Sequence, residues 1–190
     1  AAAGSPGLAL ALAPIPQAVL VRERIIRQHA DQHTADRRTR HGASASLMAD
    51  GAELDAALRG ALVGSEVDEG VDATPTTRKP AARGRAAGGS HSSSRPEPAE
   101  RRRAARQVLA IWREVGRDLA VVTGHAGGRV RHLGVLEELD AAAPSIAQAE
   151  LVAFLDRLDG WSAALEAYAS PELVLDGVLI SWPTVNTAAA

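Results

Sequence analysis

The predicted fold depends on how the sequence "YASPELVLDGVLISWP", residues 168–183, is interpreted, because it is compatible with either a β-hairpin or a helix. Asp176 and Gly177, placed between two apolar runs, are a typical signal for a β-hairpin with a tight turn. The tripeptide Ser-Pro-Glu at 170–172 is instead a typical helix start, with a capping hydroxyl, a proline in the first turn and an acid near the positive end of the helix dipole. The remainder of the chain must decide between them.

The rest of the sequence favours the helix. No other segment has the alternating pattern of a strand, and a lone two-stranded hairpin is marginally stable in water. The apolar residues at 173–175 and at 178–180 form two continuous runs instead of alternating with polar residues, which is typical of a buried or docking helix. We therefore predict a helix here, with Gly177 costing about 1 kcal/mol relative to alanine. The predicted fold is all-α, a helical bundle.

Two later segments have the clearest helical periodicity. They are "EPAERRRAARQVLAIWREVGRDLAVVTG", residues 97–124, and "SIAQAELVAFLDRLDGWSAALEAYA", residues 145–169, and a short helix is predicted between them at 134–143. Apolar side chains recur three and four residues apart in each. The predicted core-packing residues are Val108, Trp112, Val115, Leu119, Leu151, Leu155, Leu158 and Leu165. The second stripe is continued by Phe154, Trp161 and Tyr168.

The first third of the chain predicts two more helices, at 17–40 and 46–62. Their apolar positions are Val19, Val21, Ile25, Ile26, Leu47, Leu54, Leu58 and Leu62. Residues 64–99 differ, because they contain few large apolar side chains and many Gly, Ser, Pro and charged residues. Such a segment buries too little apolar surface to offset the entropy of ordering, so we predict a disordered insertion.

Composition excludes several classes of function. The chain of 190 residues has a net charge of −2 and no cysteine. The charge argues against a polycation that binds nucleic acid along its whole length, and the lack of cysteine excludes disulfides and thiolate metal sites. The sequence has no continuous run of 18 apolar residues, so it predicts no transmembrane helix, and no membrane association is expected.

Three polar clusters in the sequence have residue types that occur in binding or catalytic sites. His29 and His33 are spaced to share a metal, with Asp36 and His41 nearby, but a zinc protease needs glutamate where this chain has Ala30. We favour a solvated polar face. The loop "TGHAGGRVRH", residues 123–132, has glycines and arginines that could flank a phosphate, but it lacks the P-loop lysine and hydroxyl. A flexible loop is preferred there.

The third cluster, "RPEPAERRRAAR" at residues 95–106, has arginines that could contact a nucleic-acid backbone. Glu97 and Glu100 dilute the positive charge, so a solvated helix start is preferred. None of the three clusters predicts an active site, and no serine has the histidine and aspartate context of a nucleophile. No catalytic, cofactor-binding or metal-binding residue is assigned.

Three motifs occur in order along the chain, "AAAGSPGLALALA" at residues 1–13, "LAIWREVGRDLAVVTG" at 109–124 and "ASPELVLDGVLISWP" at 169–183. Together they resemble the C-terminal part of the delta-prime clamp-loader subunits of bacterial DNA polymerase III. "AAAGSPGLALALA" (1–13) resembles the sensor-2 region at the end of an AAA+ lid. "LAIWREVGRDLAVVTG" (109–124) and "ASPELVLDGVLISWP" (169–183) are similar to the central and last helices of the family's collar. When the sensor-2 motif is aligned on Gly4 and Ser5, the position where ATP-hydrolysing members have an arginine is occupied by Gly7. This departure is typical of a subunit that does not hydrolyse ATP.

The resemblance implies a domain order and a function. The chain would comprise the lid end (1–13), the first collar part (14–63), the insertion (64–99), the main collar (100–184) and a tail (185–190), with an ATPase-like domain upstream. It would be a non-catalytic clamp-loader subunit without a cofactor, in a ring of five in the cytoplasm, close to the nucleoid. Its partners would be delta and gamma/tau-type subunits and, through the assembly, the sliding clamp and primed DNA. Candidates for contact between subunits are Leu175, Leu179 and Trp182.

Two alternatives remain open besides a metal enzyme at His29 and His33. One is a gamma/tau-type subunit, which Gly7 disfavours. The other is a free-standing helical DNA-binding or regulatory module that uses the arginines of 101–106.

Overall fold

The structure, a computed structural model, describes residues 15–32, 35, 37–67 and 97–183. Across these ranges the chain is helical and contains no strand. The α-helices are α1 (Pro16–Asp31), α2 (Arg37–Gly42), α3 (Ser44–Val67), α4 (Pro98–Thr123), α5 (Leu136–Ala142), α6 (Gln148–Glu166) and α7 (Pro171–Ile180). Short 3₁₀ turns at Gly127–Arg129, Leu133–Val135 and Ala143–Ser145 connect α4, α5 and α6.

Helix α4 is the centre of the bundle and contacts α1, α3, α5, α6 and α7. Its start is well defined, because Glu97 and Glu100 form a reciprocal capping box and Pro98 occupies the first turn. Its apolar stripe is buried against the surrounding helices. The largest side chains of the resulting core are Trp112, Trp182, Phe154, Ile25, Leu47, Leu119, Leu139, Leu151, Leu158, Leu165, Leu175 and Leu179.

The segment 168–183 contains a helix, as predicted, which runs from Pro171 to Ile180. Pro171 begins α7 and the Ser170 hydroxyl donates to Glu172 over 2.9 Å. Gly177 has a larger role than a tolerated cost, because a Cβ placed there would lie 2.6 Å from the Trp161 ring. The missing side chain at this position therefore lets α6 and α7 approach closely.

A second close approach joins α3 to α4. A Cβ at Gly51 would lie 2.6 Å from the carbonyl oxygen of Ala104. Backbone atoms cannot rotate away as the end of a side chain can, so Gly51 fixes the separation of these two helices.

The helix predicted at 17–40 ends early, because α1 stops at Asp31 and α2 begins at Arg37. The Arg40 side chain, on α2, is buried. It donates to the carbonyl oxygens of Gln32 over 2.8 Å and of Trp182 over 3.4 Å, and so joins α2 to the ends of α1 and α7. The contact with Trp182 joins residues 142 positions apart, and the local sequence pattern does not indicate it.

Other boundaries differ by a few residues. Helix α3 continues to Val67, past the predicted end at 62, since each residue added to an existing helix costs little. Tyr168 was predicted in the α6 stripe but is 78% exposed, because it follows the end of α6 with a φ of 66°. Residues 1–13, most of the predicted insertion (68–96) and the tail 185–190 lie outside the described residues.

No helix in the described ranges combines the length and apolar character needed to cross a lipid bilayer.

Candidate functional site

The structure places the predicted core-packing residues around α4. Seven of them are buried, and Leu155 is half-buried against the same core. The seven are Val108, Trp112, Val115, Leu119, Leu151, Leu158 and Leu165.

The three residues predicted to contact neighbouring subunits are buried, whereas such a contact requires exposed side chains. Leu175, Leu179 and Trp182 have exposed fractions of 1%, 0% and 2%, because they pack into the core of their own chain. They therefore offer no surface to a neighbour. The large apolar side chains that α7 does expose are Leu173, at 69%, and Ile180, at 41%.

His29 lies in an aromatic cluster, so the prediction of a solvated polar face is wrong for this residue. Its side chain is fully buried, and its ring meets Trp112 and Trp182 edge to face, with centroid distances of 4.9 and 4.2 Å. The position follows from helical spacing, because His29 comes four residues after Ile25 and three after Ile26, both buried.

A metal site at His29 has no support from its surroundings. Within the described ranges, no group of three His, Cys, Asp or Glu residues could hold a metal ion. His33 and Asp36, the proposed companions, lie outside those ranges.

The arginines at the start of α4 bind neighbouring parts of the chain. Arg101 pairs with Glu172 of α7, and Arg103 Nε lies 3.3 Å from an Asp55 carboxylate oxygen of α3. The Arg102 guanidinium stacks over the Tyr168 ring at 4.5 Å. These three side chains join helices rather than form a free basic surface.

The most elaborate polar cluster was not predicted. Asp118, on α4, is fully buried, and its Oδ2 accepts hydrogen bonds from the backbone N–H groups of Arg131 and His132 at 2.9 and 2.8 Å. The same oxygen lies 2.8 Å from Nδ1 of the buried His132 ring. One carboxylate thus fixes the turn that follows α4.

Glu114 and Arg22 extend the cluster to α1. Glu114 pairs with Arg22, whose side chain is only 4% exposed, and its Oε2 lies 3.5 Å from Nε2 of His132. The His132 ring therefore lies between two carboxylates, one on each side. These ion pairs connect α1, through Arg22, and the turn that contains His132 to α4, which carries Glu114 and Asp118.

Burial and ion pairing act oppositely on the titration of this cluster. Burial tends to lower the pKa of His132, but its interactions with Asp118 and Glu114 outweigh burial and raise that pKa. Burial tends to raise the pKa of Asp118, but hydrogen bonds from the His132 ring and from two backbone amides lower it. The pKa of Glu114 is lowered by His132 and Arg22 against the same effect of burial. The charged forms are therefore favoured.

The cluster resembles an acid–base pair only in composition. Both His132 ring nitrogens face carboxylates, so neither is directed at a substrate. A serine nucleophile would need hydrogen-bond contact with the ring, and in the described structure the ring contacts the carboxylates of Asp118 and Glu114. This geometry supports a role in joining elements.

Comparison of the chain with protein-family models, with curated proteins and with solved structures finds no match.

Proposed function

We propose that the chain is a non-catalytic assembly module, the helical collar of a delta-prime-type subunit of a bacterial clamp loader. The observation that carries the proposal is the division of α7 into two apolar faces. One face packs into the chain's own core, through Pro171, Val174, Leu175, Val178 and Leu179. The other exposes Leu173 and Ile180.

The two exposed residues share one side of α7. They are seven residues apart, so they lie two turns apart along the same face. Single exposed leucines are common on protein surfaces, but apolar anchors seven residues apart are typical of a helix that docks into a partner. This face belongs to the segment that resembles the last collar helix of the family, which supports contact with a neighbouring subunit.

The ends of α7 are held firmly enough to present that face. Arg101 of α4 pairs with Glu172 in its first turn, and the pKa of Glu172 is lowered by its hydrogen bonds and by Arg101, against the opposite effect of burial. At the other end, Trp182 packs against Trp112 and Phe154 with ring centroids 5.9 and 4.6 Å apart. A rigid helix loses little entropy on docking, which favours association.

The proposal includes the partners and setting that the resemblance implies. The chain would join delta and gamma/tau-type subunits in a ring and reach the sliding clamp and primed DNA through that assembly, in the cytoplasm. It assigns no catalytic residue, cofactor or metal to this chain. The alternative of DNA binding through the arginines of 101–106 has weaker support, because Arg101 and Arg103 already pair with carboxylates.

The test is the molar mass of the 190-residue chain by light scattering, alone and mixed with delta and gamma/tau-type subunits without nucleotide. We expect the mixture to contain a stoichiometric heteromer that includes the chain. A folded chain that keeps its mass of 19.7 kDa in that mixture would contradict the proposal. If that monomer bound duplex DNA with a steep salt dependence, the arginine helix would become the better explanation.

A further inference from the structure

A cavity of about 210 Å³ opens between α1 and the turn that follows α4. It adjoins the glycine- and arginine-containing loop 123–132, which the proposed function does not use. Helix α1 contributes one wall and the turn contributes the other. The lining residues are Glu23, Ile26, Arg27, Arg131, His132, Leu133, Gly134 and Val135.

Two arginines that line this cavity have no carboxylate partner among the described residues. Arg27 and Arg131 are exposed, and neither forms an ion pair with a carboxylate in the described part of the chain. Other arginines nearby differ, since Arg22 pairs with Glu114 and Arg24 pairs with Asp50 and Glu53. Two arginines without a carboxylate partner in the described ranges, one from each wall, therefore line a shared space.

The remaining charges at the cavity do not cancel these two. Glu23 is the one carboxylate in the lining, and no ion pair joins it to Arg27 one helical turn away, among the residues that the structure describes. His132 forms part of the wall while its ring is held by Asp118 and Glu114. Two guanidiniums against one carboxylate leave an excess of positive charge.

We propose that this cavity binds a phosphate group, either of a free phosphate compound or of a nucleic-acid backbone. Guanidinium groups recognise phosphate by paired, charge-assisted hydrogen bonds, and cations on two walls suit an anion with oxygens on several sides better than a planar carboxylate. Gly134 leaves the turn open, since a Cβ there would meet nothing within 4 Å. Leu133, which is 70% exposed, supplies apolar surface for the organic part of the ligand. The inference goes beyond the proposed function and does not depend on it.

The test is a titration of the 190-residue chain with inorganic phosphate at low salt, followed by the backbone amide resonances of residues 131–135. We expect saturable shifts there. The variants Arg27→Gln and Arg131→Gln should each weaken binding about threefold to tenfold. Glu23→Gln should tighten binding about twofold by removing the opposing charge. All three side chains are exposed, so the unliganded melting temperatures should stay close to that of the parent chain.

The matched control is Arg106→Gln, which removes an exposed α4 arginine that is not part of the cavity lining. Its affinity should equal that of the parent chain. A loss equal to that of Arg27→Gln would indicate general charge attraction and overturn the proposal, as would unchanged binding in an Arg27→Gln, Arg131→Gln double variant.

A parallel titration with an eight-residue oligothymidylate distinguishes the two sources of phosphate. Saturation by inorganic phosphate through the two arginines assigns the cavity to free phosphate compounds. If only the oligonucleotide binds through these arginines, the site takes a backbone phosphate. If neither ligand shifts residues 131–135, the proposal is wrong.

Discussion

Asp118 illustrates, at the scale of single residues, how one buried carboxylate determines local structure. Its Oδ2 accepts hydrogen bonds from the backbone N–H groups of Arg131 and His132 and lies 2.8 Å from Nδ1 of the His132 ring. Its Oδ1 lies 3.2 Å from the Arg117 guanidinium. Replacing it with alanine would leave the buried His132 without its closest counter-charge. We expect Asp118→Ala to lower the free energy of unfolding by about 3 kcal/mol or more, measured by urea denaturation.

The matched control for that prediction is Asp159→Ala. Asp159 is also ion-paired, with Arg113, but both side chains are about half exposed, at 54% and 52%. Exposed pairs contribute little, so the free energy of unfolding should be nearly unchanged. Equal losses in the two variants would contradict the role given to Asp118.

His132 predicts a dependence of stability on pH. Its folded-state pKa is raised, so its contribution is fully present below the unfolded value of about 6.5 and is lost as pH rises through the folded value. Urea denaturation from pH 5.5 to 9 should show this decline in the parent chain, and the decline should be absent or much smaller in His132→Gln. Parallel profiles for the two chains would show that His132 does not carry the effect.

The acidic side of the profile has the opposite sign. The pKa values of Asp118 and Glu114 are lowered, so their contribution is present above the unfolded carboxyl range and is lost as pH falls through the folded values. The cluster as a whole should therefore stabilise the fold most between these two limits.

The sequence contained part of the signal for this cluster. Asp118 lies three residues after Val115 and four before Val122, both buried, so it falls at the edge of the apolar stripe rather than on a solvated face. His132 lies 14 residues later in a glycine-containing loop. Nothing in local periodicity joins the two residues, because the folding-back of that loop depends on tertiary contacts.

Among the helices, the packing of α3 against α4 is best tested by substitutions at two glycines of α3. Gly51 and Gly60 both lie in α3, but only Gly51 faces the α4 backbone, whereas a Cβ at Gly60 would meet nothing within 4 Å. We expect Gly51→Ala to destabilise the chain by about 1–3 kcal/mol through overpacking. Gly60→Ala should instead stabilise it by about 0.5–1 kcal/mol through helix propensity. Melting curves of the two variants give the comparison, and a gain in both would mean that α3 is wrongly placed.

Periodicity predicted the helices that have strong apolar stripes. Helices α4, α6 and α7 begin within three residues of the predicted starts, because their apolar spacing and first-turn signals agree. The break between α1 and α2 was not predicted, and the contact that joins α2 to Trp182 spans 142 residues of sequence. Such long-range contacts leave no local signal in a polar stretch.

For the whole molecule, burial should separate residues that hold the fold from those that serve association. Leu158 is 1% exposed and Leu173 is 69% exposed. We expect Leu158→Ala to lower the free energy of unfolding by about 2–5 kcal/mol, and Leu173→Ala to change it by less than about 0.5 kcal/mol. An unchanged melting temperature for Leu158→Ala would mean that the α6 stripe is misplaced.

We propose that the face of α7 that exposes Leu173 and Ile180 docks into neighbouring subunits, and surface variants examined by light scattering test this claim. Leu173→Ser with Ile180→Ser changes only exposed positions of α7, and Leu20→Ser changes a position of α1 that is 61% exposed. We predict that both proteins fold, that the Leu20→Ser chain enters the heteromeric assembly with delta and gamma/tau-type subunits, and that the double variant stays monomeric. Entry of the double variant with the affinity of the parent chain would contradict the claim.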